Sequence, residues 1–180
     1  MLPPLSNSTR AAAVLCIRLP DDHCVKPLSQ GEFRTACRIT ENNNETVTDI
    51  LDMSINTITT MFCEKESLCH RILALRNRHE KVDAMLQSWF DKGIWILGEQ
   101  DNFYPQRLKD RLVSSRPPLL FGFGPFDSLD SGGLLVVGSR NSSTEAIKFS
   151  ETLAKRCAHE SITLISSDMR GVDRVAIQTV

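Results

Sequence analysis

The chain has 180 residues and a formal net charge of -1, with 41% hydrophobic and 24% charged residues. This length is enough for one or two domains with a buried core, and the composition is that of an ordinary globular protein. Because the net charge is close to zero, no global field draws the chain to nucleic acid or to a membrane surface, and any DNA binding must come from a local patch.

The cysteines indicate a reducing compartment. Six cysteines are scattered along the chain without a CxxC pair, and Cys63, Cys69 and His70, which come nearest to a ligand cluster, match no zinc spacing. The sequence has no signal-peptide pattern at its start and no apolar run of membrane-spanning length. We therefore expect a cytoplasmic protein without a metal, a cofactor or a membrane partner.

Residues 1–92 are predicted to form an all-helical domain. Ser8 is expected to cap the first helix, and Ser29 with Glu32 forms the capping box of the second. Two short helices that are separated near Ser54 and two stronger helices complete the domain. Its predicted role is packing and positioning, with contact to a partner protein as the alternative.

Residues 93–180 are predicted to form an α/β domain. Short strands are expected at residues 94–97 and 119–123, and Phe121 and Phe123 in the second are predicted to be core residues rather than a stacking platform for bases. The segment between the strands is locally basic, and a solvated helix face is favoured there over DNA contact.

A βαβ unit is predicted between residues 132 and 173. Leu134 to Val137 forms a short apolar run bounded by glycines, as is typical of a strand buried on both faces. A helix follows, with Ser142 as its expected N-cap and Glu145 completing a capping box. A second apolar run from Ile162 to Ile165 predicts the parallel strand.

The turns after the two predicted strands carry the candidate site. Ligands of open parallel sheets bind beyond the carboxyl ends of the strands, where both turns lie. The first turn leads into a helix N-terminus, which favours an anion, and the turns carry Arg140 and Arg170, whose guanidinium groups suit phosphate. The alternative is a βαβ unit with two solvated arginines. The sequence contains neither a GxGxxG motif nor a Walker lysine.

Four motifs in this order resemble the DNA-processing protein A (DprA/Smf) family. Asp101 to Leu108 is similar to the family's D-x-x-Y-P-x-x-L, and Pro117 to Phe121 to its P-P-x-L. Val136 to Arg140 resembles the V-G-S-R turn, and Ser166 to Asp173 the S-G-G-A-R-G-I-D turn. The resemblance extends over roughly residues 93–173.

This resemblance implies a Rossmann-like domain that binds single-stranded DNA and passes it to a RecA-type recombinase. Ser167 and Asp168 stand where the family has paired glycines, and Arg174 to Gln178 replaces a small-residue run with a histidine. Glycine would permit positive φ and close approach of a phosphate, whereas an aspartate adds negative charge. These differences from the family pattern therefore affect the predicted phosphate site at the second turn more than the one at the first turn.

The fold class that follows is α/β, an N-terminal all-helical domain followed by an incomplete Rossmann-like parallel sheet. We expect a non-catalytic DNA-binding protein of DNA uptake or recombination. Arg140 and Arg170 would pair with phosphates, and the N–H groups of Gly138 and Ser139 with the helix start at Ser142 would hold another. The expected nucleic-acid-binding residues are Gly138, Ser139, Arg140, Ser142, Ser166, Arg170 and Gly171.

Two other functions remain open. The first is nucleotide binding or sensing; hydrolysis would need a carboxylate as general base, for which Asp168 and Asp173 are the candidates, although Asp173 is expected to cap the next helix. The second is a non-functional remnant, because few strands are predicted. We expect a C-terminally truncated, marginally stable chain, whose homodimerisation, as in the family, would use the absent part.

Overall fold

The computed structural model describes residues 3–20, 25–126 and 129–179. The chain forms two compact units, Met1–Phe126 and Asp127–Val180. No helix among the described residues is long and apolar enough to cross a membrane.

The first unit is mainly helical. Its helices are α1 (Asn7–Cys16), α2 (Gln30–Asn42), α3 (Ile55–Met61), α4 (Glu66–Arg76), α5 (His79–Asp91) and α6 (Gln106–Leu112), and its strands are β1 (Ile94–Gly98) and β2 (Leu119–Phe123). Short 3₁₀ turns lie at Asp49–Leu51, Cys63–Lys65 and Val113–Ser115. The predicted helices and both predicted strands of this region are therefore confirmed.

The core of this unit is centred on α1. Residues 11–15 are almost completely buried, and they pack with Phe33, Phe62, Ile72 and Val82 from four surrounding segments. Alanines within α1 allow its neighbours to approach closely, and burial of the larger apolar side chains supplies the main driving force. This core positions β1, which packs against both α1 and α5.

Helix caps in this unit are partly as predicted. Ser29 and Glu32 form the expected capping box at the start of α2, and Ser54 caps α3. The cap of α1 is Ser6 rather than Ser8, and its hydroxyl accepts the N–H of Thr9. The helix begins at Asn7, two residues earlier than the start at Thr9 that a cap at Ser8 predicts.

Partly buried polar groups connect the strands and helices of this unit. The Asp101 carboxylate accepts hydrogen bonds from Ser6 Oγ at 2.5 Å, Thr9 Oγ1 at 2.6 Å and the Gly98 N–H at 2.8 Å. The Tyr104 hydroxyl, on a nearly buried side chain, donates to the Pro117 carbonyl at 2.8 Å. Asp101 of the D-x-x-Y-P motif therefore holds the end of β1 against the start of α1, and Tyr104 holds the segment before β2.

β1 and β2 form an antiparallel pair with Ile94 opposite Phe123 and Gly98 opposite Leu119. The prediction that Phe121 and Phe123 are core residues is wrong, since they are 47% and 78% exposed. They lie on a face of the two-stranded sheet that no described element covers fully; Trp89 contacts the Phe121 ring edge-on at 5.5 Å.

The two compact units divide at a different place from the predicted domains. The sequence places the boundary between residues 92 and 93, whereas the units divide after Phe126, because β1 and β2 pair with each other and pack on the helices. The division into domains at residues 1–92 and 93–180 therefore stays a prediction.

The second unit contains the predicted βαβ arrangement. It consists of β3 (Leu134–Leu135), α7 (Thr144–His159), β4 (Leu164–Ile165) and α8 (Val172–Gln178), and β3 pairs with β4 in parallel. The strands are shorter than predicted, although the Val136 N–H still donates to the Ile165 carbonyl at 2.9 Å. The α/β class with a partial parallel sheet is confirmed.

This second unit has a small core. Its buried apolar residues among those described are Val136, Ala154, Cys157 and Ala176, and most of them are small. Several large apolar side chains of the unit are instead exposed, namely Leu135, Val137, Phe149, Ile162 and Ile165. The expectation that Leu134 to Val137 is buried on both faces is therefore wrong for all but Val136, because only one face of the pair is covered.

Candidate nucleic-acid interface

The first turn runs from the end of β3 to the start of α7. It is closed by local hydrogen bonds: the Ser142 hydroxyl donates to the Ser139 carbonyl at 2.5 Å, and the Asn141 N–H donates to Ser139 Oγ at 3.1 Å. α7 begins at Thr144, and its N-cap is Ser143, whose hydroxyl accepts the Ala146 N–H at 3.3 Å. The predicted cap at Ser142 is wrong, because the hydroxyl of that residue closes the turn.

The second turn runs from β4 to α8 and contains two residues with positive φ. Asp168 has φ +50°, in the left-handed region that an aspartate tolerates better than most residues. Its Oδ1 atom lies 3.5 Å from Nε of Arg174, which is near the start of α8. The negative charge that replaces a family glycine is therefore paired. Gly171 has φ +96° and ψ -137°, a conformation that is essentially restricted to glycine.

The two turns pack directly on each other at glycines. A Cβ atom at Gly171 would lie 2.3 Å from the Ser139 carbonyl oxygen, and one at Gly138 would lie 2.7 Å from Cβ of Val172. Such separations are shorter than real Cβ contacts, so a side chain at either position would push the turns apart. The close approach brings Arg140 next to the second turn.

Asp173 joins the turns through its side chain. Its carboxylate accepts the Gly138 N–H at 2.8 Å and also accepts a hydrogen bond from the Ser167 hydroxyl. The Ser167 bond contributes most to lowering the pKa of Asp173, and the Gly138 N–H lowers that pKa further. The predicted capping role is wrong: Gly171 is the N-cap of α8, and Asp173 lies within the helix.

These bonds also correct the expected role of Gly138. Its N–H cannot hold a phosphate while it donates to Asp173, a residue 35 positions away that the fold brings beneath the turn. Ser166 is likewise engaged in the fold, since its hydroxyl donates to the Val136 carbonyl at 2.8 Å. The Gly138 N–H and the Ser166 hydroxyl therefore hold the turns, although Gly138 is exposed and Ser166 is half-buried.

Arg140 and Arg170 line one shallow groove of about 570 Å³. Ser142 and Gly171 also line it, so the structure brings four of the seven predicted residues together there. Both arginines are exposed, and neither guanidinium has a hydrogen bond or an ion pair to another described residue. The groove is therefore an open surface with two cationic side chains available to an anion.

The groove has three lining residues that sequence reasoning missed: Asn141, Ser143 and Ile147. Their positions at the N-terminus of α7 are the signal that could have identified them, because the first turn of a helix points its N–H groups at an anion.

A second, more apolar groove of about 560 Å³ adjoins the first turn. It is lined by Leu135, Val137, Phe149 and other apolar side chains, and it shares Asn141, Ser142 and Ser143 with the arginine groove. Gly138 and Ser139 line this groove instead of the arginine groove. An apolar surface thus adjoins the first turn.

The described residues offer no arrangement suited to hydrolysis or metal binding at this edge. No carboxylate lines the arginine groove. Asp173 is a poor general base, because two donors hold its carboxylate and its pKa is lowered. No group of three or more His, Cys, Asp or Glu in the described part of the chain is placed to hold a metal ion.

Comparison with known proteins shows which family and which fold this chain is similar to. A family model described as DNA recombination-mediator protein A matches residues 95–180. The X-ray structure of DNA processing protein A (DprA) from Streptococcus pneumoniae is similar, with a TM-score of 0.59 and 21% sequence identity. The similarity covers 99% of this chain and 54% of the solved chain, so this chain spans about half the length of that protein. A search of curated proteins finds no match.

The structural likeness extends over both compact units, whereas the family match covers the segment from β1 to the end of the chain. At this level of identity the solved structure shows a shared fold. The family model matches the segment that contains the D-x-x-Y-P motif and both turns. Through residues 95–180, a little under half of its length, the chain is therefore similar to the DNA recombination-mediator protein A family.

Proposed function

We propose that this chain is a non-catalytic DNA-processing protein that binds single-stranded DNA at the arginine groove. The proposal also includes its delivery of that DNA to a RecA-type recombinase in DNA uptake or recombination. The family match over residues 95–180 supports the link to DNA processing. The observation that carries the proposal is that Arg140 and Arg170, which are separated by 30 positions in the sequence, line one open groove.

Phosphate is the anion that this groove suits best. Guanidinium groups bind phosphate oxygens in a bidentate manner, and the N-terminus of α7, a helix of 16 residues, opens onto the same groove. The lining residues offer hydroxyl, amide and guanidinium groups but no carboxylate, so a polyanion meets no repulsion within the groove itself.

The test measures binding of fluorescent oligo-dT to the protein and to variants of the two arginines. Arg140→Ala and Arg170→Ala should each weaken binding by about 1–2 kcal/mol, the contribution of one charge-assisted contact. Each lost phosphate contact means that fewer counterions are released when DNA binds. The slope of log affinity against log salt concentration should therefore be smaller by about 1.4 in the double variant. Undiminished binding by the double variant would refute the proposal.

Arg156→Ala is the matched control. Arg156 lies in the same compact unit and carries the same charge, but it faces solvent and pairs with Glu160 one helical turn away. This variant removes one positive charge without touching the groove, so its affinity for oligo-dT should stay within about twofold of the wild type. An equal loss in the control would mean that net charge, and not the groove, determines binding.

A second candidate function is binding of a mononucleotide. It is favoured by the apolar groove beside the first turn, where a base could lie on Phe149 and Val137 while its phosphate meets Arg140. Calorimetry with mononucleotides and with oligo-dT separates the two functions. Tighter binding of the mononucleotide would favour this candidate.

A further inference from the structure

The Asp173 carboxylate accepts hydrogen bonds from both turns at once. It accepts the Gly138 N–H from the first turn and the Ser167 hydroxyl from the second. Only 4% of Asp173 is exposed, so its carboxylate has little contact with water, although both donors lie on exposed residues. A charged acceptor with two donors in such a place forms strong hydrogen bonds.

The bonded atoms lie close in sequence to the groove arginines. Gly138 is two residues before Arg140, and Ser167 is three residues before Arg170. The packing of Gly171 against the carbonyls of Ser139 and Arg140 adds a backbone contact between the turns. Neither arginine side chain has a described partner, so its position depends on the backbone of its turn.

We propose that Asp173 and Ser167 are positioning residues that hold the two turns in register and thereby set the spacing of Arg140 and Arg170. This inference rests on the proposed DNA binding for its functional meaning. A glycine at position 167 could not make the bond that the Ser167 hydroxyl donates. The lowered pKa of Asp173 agrees with a carboxylate that stays ionised to accept both donors.

The first measurement is independent of DNA. Nuclear magnetic resonance of the full chain reports hydrogen exchange of the Gly138 amide and the backbone amide shifts of Arg140 and Arg170. Asp173→Ala should accelerate Gly138 exchange by roughly tenfold or more, because the amide loses its acceptor. Ser167→Ala should shift the amide resonances of both arginines. Unchanged exchange and unchanged shifts would overturn the proposal.

The second measurement is the affinity for oligo-dT. Ser167→Ala should weaken binding roughly three- to tenfold, which corresponds to the loss of one hydrogen bond. Ser167→Thr, which keeps the hydroxyl, should stay within about twofold of the wild type. In the wild-type background, the losses of binding free energy caused by Arg140→Ala and Arg170→Ala should not be additive in a double-mutant cycle. In the Ser167→Ala background the two losses should add.

A matched control separates positioning from a merely structural role. Ser150 is nearly buried in the same unit, and its hydroxyl donates to the Val172 carbonyl at 3.2 Å without joining the two turns. Ser150→Ala should lower stability without shifting the arginine resonances or removing their coupling. If Asp173→Ala does not fold, Ser167→Ala still tests the proposal.

The outcomes distinguish this inference from the proposed function. If the wild type fails to bind oligo-dT while Ser167→Ala shifts the arginine resonances, the DNA function fails and the register of the turns stands. If the wild type binds and Ser167→Ala binds equally well with coupling intact, the positioning role is overturned while the DNA function stands.

Discussion

Gly171 is the residue whose conformation the site depends on most directly. Its backbone occupies a region that is essentially closed to other residues, and its Cα faces the carbonyls of the first turn. Strain and steric clash would therefore act together in any substitution. This geometry explains why Gly171 follows Arg170 in the second turn, because only a glycine there lets the two turns touch.

Gly171→Ala should destabilise the second unit by roughly 3 kcal/mol or more, since backbone strain and overpacking add. Urea denaturation followed by circular dichroism measures the loss. Gly124→Ala is the control: Gly124 also has a positive φ, +88°, but a Cβ there would meet open space. That variant should cost only about 1–2 kcal/mol. Equal effects of the two variants would contradict the role of close packing.

At the scale of single residues, the arginines of the site could be predicted from the sequence, but their neighbours could not. Arg140 and Arg170 follow apolar runs, which is a local pattern. The bond from the Gly138 N–H to Asp173 depends on the folded chain, and no local pattern reveals it. The cap at Ser143 was missed because Ser142 and Ser143 are adjacent and equally suited to the role.

Among the elements, the strand pair β1–β2 depends on the helices for its position. Asp101 connects the end of β1 to the start of α1 through three donors. Arg78 makes a similar connection: its buried guanidinium donates to the Val14 and Ile17 carbonyls at the end of α1. α1 is therefore fixed at both ends by charged side chains from later in the chain.

Asp101→Ala should destabilise the first unit by about 2–3 kcal/mol, because it leaves the Thr9 hydroxyl and the Gly98 N–H without their acceptor. Thermal or urea denaturation followed by tryptophan fluorescence measures the change. Asp110→Ala serves as the control, since Asp110 is exposed and accepts a bond from Gln106 on its own helix. Its effect should stay below about 0.5 kcal/mol.

Helices and strands could be predicted more reliably than the surfaces they present. The capping box at Ser29 and the apolar periodicity of the helices are local signals, and both were confirmed. The exposure of Phe121 and Phe123 was not predictable, because alternation with glycine does not tell which face of a strand is covered. The difference between the predicted domains and the compact units likewise arises from pairing between β1 and β2.

In the whole molecule, stability should be unevenly distributed. The first unit has a continuous core of large buried side chains, whereas the second has four buried apolar residues among those described, most of them small. Since apolar burial supplies most of the favourable free energy, the second unit should have the lower free energy of unfolding.

We therefore expect two unfolding transitions in urea. Both tryptophans, Trp89 and Trp95, lie in the first unit, so their fluorescence reports that unit alone. Circular dichroism also reports α7 and α8 in the second unit. The circular dichroism curve should begin to fall at lower urea than the fluorescence curve. Coincident curves with equal midpoints would contradict an uneven distribution of stability.

The exposed apolar side chains beside β3 have a consequence for how salts act on this protein. Leu135, Val137 and Phe149 are each more than 60% exposed and adjoin the cationic turn. Sulfate strengthens contacts between such surfaces, while ions of any kind weaken attraction to phosphate. Ammonium sulfate should thus precipitate the protein under the same conditions that release a bound oligonucleotide. A chloride salt at low protein concentration should release the oligonucleotide without precipitating the protein.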